Sequence, residues 1–356
     1  MVMHIILKIT SVILILYSLL AGMLIPLGMG VVSVSPEKIS GGEELSLQVK
    51  LYNAQLSDIN RLESRIRLNP EQALCSKEIV LLSEQELLLK YDVPAGKLPM
   101  DFASRKGKKS PFPILELIDH EKGYVSLESV IFIEQTDTQN IANVAACSIE
   151  KRDPAGQMTF PYLNILNETI RNLFYHVPMW FAMIVLMFFS VIYSIKQLNQ
   201  PQDLNLDAKA ASLAAVGVIF GLIGIATGAM WANYTWGAPW SFDVKQNTSA
   251  IALLIYLAYF VLRSSFEEMD KKARISAIYN IFAFAMLIPL LYIIPRLEDS
   301  LHPGMGNNPA FKKLDLDNTM RMVFYPAVIG WILFGIWMAE LAFRIEKIKL
   351  KRYNQS

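Results

Sequence analysis

Charge is scarce in this chain. Asp, Glu, Lys and Arg make up 18% of its 356 residues, and 33 basic residues stand against 32 acidic ones, a net charge of +1. A nucleic-acid-binding surface gathers its basic residues on one face. Here Lys and Arg gather only at the edges of apolar runs, which excludes a nucleic-acid partner. Cysteine is rarer still, with Cys75 and Cys147 the only two. There is no C-x-x-C pair and no Cys/His grouping at ligand spacing, so a structural zinc site and a thioredoxin-like redox motif are excluded as well. Histidine occurs four times, as His4, His120, His176 and His302. No internal repeat or long low-complexity tract is visible.

What the chain has in abundance is apolar surface. It is 53% hydrophobic with a mean hydropathy of +0.33, too apolar for an ordinary soluble domain. Six apolar runs qualify as crossings of roughly 30 Å of hydrocarbon: residues 9–32, 177–195, 210–230, 250–262 with an outward extension to 244, 277–294, and 322–343. Lys and Arg favour cytoplasmic loops. Arg263, Lys271, Lys272 and Arg274 after the fourth run, and Arg344, Lys347, Lys349, Lys351 and Arg352 after the sixth, therefore point inward. Arg296, Lys312 and Lys313 in the 295–320 loop vote the other way and are outnumbered. With six spans the N-terminus is also inside, and residues 33–170, 231–248 and 295–320 face out. The first run can be read as an uncleaved anchor or as a cleaved signal peptide. It is longer than a usual signal core and no A-x-A site precedes Ser33, which favours the anchor.

The predicted fold is mainly α, a polytopic bundle of six transmembrane helices with a small β-rich extracytoplasmic domain between helices one and two. Residues 1–33 form the anchor, 34–165 the β-rich domain, 166–346 a five-helix membrane domain, and 347–356 a cytoplasmic tail. Period-two stretches such as "ELSLQVKLY" and "GYVSLESVIFIEQ" signal half-buried strands, and some helix is expected around residues 56–67. An oxidising compartment lets Cys75 and Cys147 pair; two free buried thiols are the alternative. The run "SRKGKKS" at 104–110 reads as a solvated loop.

One stretch stands out. "WANYTWGAPWSFD", residues 231–243, holds three of the six tryptophans together with a tyrosine, a phenylalanine, Gly237 and Pro239. Aromatic residues taken singly, such as Trp180, Trp331, Trp337 or Tyr292, read as an interfacial belt. A belt needs neither this density nor a Gly-Pro break, which also argues against a regular helix through the stretch. His176 stands in "FYHVPMW" at the outer end of the second span, with Pro178 in a position that a first helical turn accepts. His302 stands in "DSLHPGMGNNP", the outer loop between the fifth and sixth spans. The topology brings both to the same boundary as the tryptophans, and two neutral imidazoles can supply opposite axial ligands to a haem iron. His4 and His120 read as ordinary surface or turn residues. Asp243, in "DVKQ" before the fourth span, reads as a helix cap with Gln246 reaching back. Lys245 can meet a propionate or simply be solvated. Glu340, one turn before Arg344, reads as half of an i,i+4 ion pair.

These residues resemble a known family. "GAMWANYTWGAPWSFD" is similar to the tryptophan-rich WWD motif, W-G-x-x-W-x-W-D, of the haem-handling membrane proteins of cytochrome c biogenesis. "YHVP" and "LHPG" resemble that family's two flanking histidines, nearest the haem exporter protein C branch (CcmC) and next the cytochrome c synthetase branch (CcsA). The resemblance covers roughly residues 165–343. It implies His176 and His302 as axial ligands of a transiently bound b-type haem, and Trp231, Trp236, Gly237, Trp240, Phe242 and Asp243 as an external platform. Phe242 departs from the motif, which has tryptophan there; the π face stays and the indole donor is lost. The resemblance further implies a multi-pass protein of the bacterial inner membrane whose site faces the periplasm. It would hand haem to a CcmE-type haem chaperone, with CcmA- and CcmB-type ABC transporter subunits and a small membrane subunit as partners. It implies transfer without a catalytic residue. The other branch implies the alternative, a synthetase component (haem lyase) that attaches haem to apocytochrome c thiols. A membrane sensor unrelated to haem is a third reading.

Overall fold

Around residues 26–35 the apolar sequence changes its periodicity. The run that begins the chain forms a helix, α1 (Val2–Leu24), but "VVSVS" is β-branched and alternating and becomes a strand. The first span is therefore shifted toward the N-terminus relative to the apolar run that marks it. The computed structural model describes residues 2–40, 44–54, 56, 58–69, 71–99, 102–103, 109–110, 113–120, 123–128, 131–134, 144, 158–164, 166–302 and 316–353. The chain divides into two units, one made of Met1–Ile25 and Glu168–Ser356, the other of Pro26–Asn167.

The second of these units is built of strands: β1 (Gly30–Ser35), β2 (Lys38–Ser40), β3 (Glu44–Tyr52), β4 (Leu62–Arg67), β5 (Ala73–Cys75), β6 (Glu78–Ser83), β7 (Glu86–Asp92), β8 (Phe102–Ala103), β9 (Lys109–Ser110), β10 (Ile114–Asp119), β11 (Gly123–Glu128) and β12 (Phe132–Glu134). Two four-stranded antiparallel sheets, ordered β1-β3-β7-β6 and β11-β10-β4-β5, share one apolar core. Every second residue of β3 and β7 points into it, Leu47, Val49, Leu87, Leu89 and Tyr91 being fully buried. The Tyr91 hydroxyl meets Ser64 Oγ of the facing sheet. On β10 the buried Glu116 is compensated by Arg65, by Arg67 at 3.1 Å and by the Tyr124 hydroxyl, as a buried charge must be. Among the described residues of 56–67 no α-helix forms. A single 3-10 turn, Ile59–Arg61, leads into β4, because "LESRIR" alternates buried and exposed positions. Cys75 is disulfide-bonded; Cys147 lies outside the described residues. Of the basic run, residues 104–108 also lie outside, while Lys109 and Ser110 pair with β8. His120 bonds Glu63 at 3.0 Å.

The other unit is helical. To α1 it adds α2 (Leu173–Asn199), α3 (Leu204–Trp236), α4 (Val244–Ser264), α5 (Met269–Ile288), a π turn Pro289–Ile293, α6 (Ile294–Leu297) and α7 (Asn318–Tyr353). Among the described residues six helices are long and apolar enough to cross a membrane, and the chain is a multi-pass membrane protein. Helix α1 packs on α7, where Ser11 Oγ donates to Gly330 O at 3.1 Å. The carbonyls of Gly22 in its last turn and of Ile25 just beyond it accept from one Arg171 nitrogen at 2.8 and 2.7 Å.

The tightest pairing is α2 with α3, and its cause is visible in α3. Gly217, Gly221, Gly224 and Gly228 recur every three or four residues and so share one face. Side chains of α2 press into that face: Met187 at Gly217, Met183 at Gly221, Trp180 at Gly224, His176 at Gly228. At the end of the bundle away from Trp236, Asp207 of α3 takes both terminal nitrogens of Arg263 of α4. Between the two ends, Asn280 of α5 donates to Ser190 and Ser194 of α2 at 2.7 and 2.8 Å. Glu340 and Arg344 form the expected ion pair.

Candidate functional site

The aromatic stretch is helical for its first half. Helix α3 runs on through Trp231 to Trp236 and ends only at Gly237, whose left-handed backbone (φ 82°) lets its N–H close on Asn233 O at 3.1 Å. The break that Gly237 and Pro239 impose acts forward and leaves the preceding turn intact, so Trp231 and Trp236 are held on a rigid element. Their rings meet edge to face at 4.9 Å.

Beyond Gly237 the chain turns into α4 through Phe242, a bulky residue held in the left-handed region (φ 57°), where Asn247 Nδ2 donates to its carbonyl at 2.8 Å. Asp243 caps α4 by accepting from Lys245 N at 2.9 Å. Gln246 reaches back past the cap, its Oε1 accepting from Ser241 N at 2.9 Å. The same Asp243 carboxylate also gathers the loop after α6. It accepts from Leu301 N at 2.8 Å, from Ser300 Oγ at 3.0 and 3.1 Å, and pairs with His302 Nδ1 at 2.9 Å. His302 is thereby set against the aromatic rings, 4.9 Å from Trp236 and 6.0 Å from Trp231.

His176 occupies the first turns of α2. Its Nδ1 lies 3.1 Å from Thr227 Oγ1, and its ring fills the space that a side chain at position 228 would take, 2.7 Å from an ideal Cβ there. Trp180 stands one turn on with its ring edge-on at 6.3 Å. Position 228 precedes Trp231 by three residues, about 4.5 Å of helix rise. The two imidazoles thus meet the same end of α3.

Hydrogen bonding settles which nitrogen of each ring is available. The Thr227 hydroxyl spends its proton on the carbonyls of Ile223 and Gly224, at 2.8 and 3.1 Å, so toward His176 it accepts. The Asp243 carboxylate can only accept. Both rings carry their proton on Nδ1, and both leave an Nε2 lone pair for an electrophile. Burial holds His302 neutral, with its pKa pushed down to about 4; the Lys245 charge adds to this and Asp243 opposes it. Asp243 itself stays below the ordinary carboxylate value. Burial would raise it, but the Leu301 amide, His302, the Lys245 amide and the Ser300 hydroxyl outweigh that. With His302 neutral, its share is a hydrogen bond from Nδ1 and not a full charge.

Among the described residues, no three His, Cys, Asp or Glu side chains converge as a metal cluster. Two imidazoles alone suit a metal that brings its remaining ligands with it, as haem iron does. Of the residues singled out from the sequence, His302, Trp231, Trp236 and Asp243 come together, and His176 lies next along α3. Gly237 contributes its backbone conformation. Trp240 is half-buried further round the turn, and Phe242 is 77% exposed at its rim. Thr227, Gly228 and Ser300 were not legible as site residues. Trp180 packs on Gly224, and Trp331 on Phe220 and Phe334.

Fold and site together define a polytopic helical membrane protein with two imidazole donors beside an aromatic shelf at one end of the bundle. Residues 160–302 match the family model described as Cytochrome C assembly protein. The chain is 23% identical over 138 residues to Heme exporter protein C of Haemophilus influenzae, a match covering 39% of this chain and 55% of that protein. It is 29% identical over 143 residues to Heme exporter protein C of Paracoccus denitrificans, covering 38% and 56%. It is 39% identical over 73 residues to Cytochrome c biogenesis protein CcsA of Thermosynechococcus vestitus, covering 20% and 23%. The chain spans little more than half the length of the first two relatives.

Proposed function

We propose that this protein handles haem in cytochrome c biogenesis, holding it as transient cargo between His176 and His302 beside the Trp231 and Trp236 rings and passing it to a haem chaperone. The observation that carries this reading is the pair of imidazoles at one end of α3, each with its Nδ1 engaged by a neighbouring side chain. The two Nε2 nitrogens supply axial ligands, and the indoles supply apolar contact for a flat macrocycle. Gly237, Trp240, Phe242 and Asp243 complete the platform. A shelf at the rim of the bundle suits a carrier, since exchangeable ligands and shallow contact favour hand-over. The Lys and Arg bias of the loops supports a site on the outer face of the bacterial inner membrane. Kinship with heme exporter proteins motivates a CcmE-type chaperone and ABC transporter subunits of the CcmA and CcmB type as partners.

The test is an absorption spectrum of purified protein beside His176→Ala and His302→Ala. A low-spin six-coordinate haem in the wild type, lost or weakened in each variant and partly restored by imidazole, is the expected result. No haem in the wild type, or spectra unchanged in both variants, overturns it. The match to a CcsA-type protein favours a second reading, a synthetase component acting on apocytochrome c thiols. Haem transfer to purified chaperone in the absence of apocytochrome separates the two.

A further inference from the structure

The two imidazoles are held in different ways. His176 belongs to a helix: its backbone lies in α2, its ring is wedged at Gly228, and Thr227 on the neighbouring helix fixes its tautomer. Moving it means parting α2 from the glycine face of α3. His302 belongs to a loop. Among the described residues of that segment the polar links converge on one carboxylate, since Ser300 Oγ, Leu301 N and His302 Nδ1 all bond Asp243. A fourth link, His302 N to Ser300 Oγ at 3.2 Å, ties the histidine to the same group. Groups that share one acceptor are lost together when that acceptor lets go.

We infer that the two axial positions are unequal: His176 is the retained ligand, His302 is the one exchanged at hand-over, and Asp243 is the positioning residue that sets how readily His302 leaves. This rests on the reading of His176 and His302 as haem ligands and adds an order to it. An incoming ligand from an acceptor protein takes the place of His302 while His176 still holds the iron. Asp243 contributes in two ways. It orients the imidazole, and its negative charge strengthens the hydrogen bonds of the loop, charge-assisted bonds being about twice as strong as neutral ones.

Asp243→Asn weakens both contributions, because asparagine still caps a helix through its one oxygen but sets a donor NH2 where the second acceptor stood and carries no charge. The experiment loads the full-length protein with haem and measures the rate at which cyanide replaces an axial nitrogen, in wild type, His176→Gly, His302→Gly, and each of these combined with Asp243→Asn. Expected are faster loss of haem from His176→Gly than from His302→Gly, and an acceleration by Asp243→Asn of roughly tenfold in the wild type and in His176→Gly. In the His302→Gly background Asp243→Asn has no effect. Ser300→Ala, which leaves the α4 cap untouched, is a second probe and gives a smaller acceleration with the same pattern. Equal rates for the two single-histidine variants, or an Asp243→Asn effect of the same size without His302, overturn the inference. Absence of the low-spin spectrum in the wild type instead overturns the haem reading beneath it.

Discussion

His302 shows how much of a residue's chemistry is set by what surrounds it. Burial takes its imidazole from an ordinary pKa of 6.5 to about 4. Between those values the unfolded chain binds a proton that the folded site refuses, so stability is full above 6.5 and falls as the pH drops toward 4. The apoprotein in detergent should therefore show a lower Tm near pH 4 than above pH 6.5, and His302→Gln should remove part of that slope. His176 depends on a residue with no side chain. A methyl group at position 228 would sit 2.7 Å from its Cε1, so Gly228→Ala should displace the ring and abolish the low-spin spectrum as fully as His176→Ala does, in a protein that still folds. The sequence marks both histidines by their company, Pro178 on one side and the Gly-Pro loop on the other. It does not mark Thr227 or Gly228 as their neighbours, because that contact joins residues 51 and 52 positions apart and is made only when α2 lies on α3.

At the scale of elements, hydropathy revealed the six helices because the cost of an unsatisfied backbone in hydrocarbon leaves little choice of structure. It placed their ends less well. Helix α3 continues to Trp236 because Gly237 acts as a C-terminal stop and not as a breaker of the turn before it. The β1 strand took residues that an apolar-run reading assigns to the first span. Polar clamps inside the bundle were also out of reach, since partners on separate helices leave no local pattern. The Asp207–Arg263 pair is the clearest of these, with side chains 6% and 16% exposed. Removing one partner strands a buried charge, so Arg263→Met alone should cost about 3–5 kcal/mol of unfolding stability, while Asp207→Leu with Arg263→Met should recover most of it. Thermal unfolding in detergent with both single variants and the double variant measures this.

At the scale of the molecule, the family match begins at residue 160 and leaves most of the β unit, Pro26–Asn167, outside it. That unit has its own apolar core and its own compensated charge at Glu116. Replacing residues 26–167 by a flexible Gly-Ser linker should preserve the haem spectrum and, if the unit recognises the acceptor, slow hand-over to the chaperone; the two readouts are taken on one preparation. Alternation of apolar and polar residues made strands legible here, while the pairing order of the sheets was not, because register is decided between strands far apart in sequence. With Thr227 and Asp243 committing both rings to a single tautomer, the proposed site presents two lone pairs whatever porphyrin arrives. A macrocycle whose centre accepts one nitrogen, or none, leaves a donor facing nothing. Discrimination among tetrapyrroles then falls on the central atom, and it originates in two side chains that need never touch the guest.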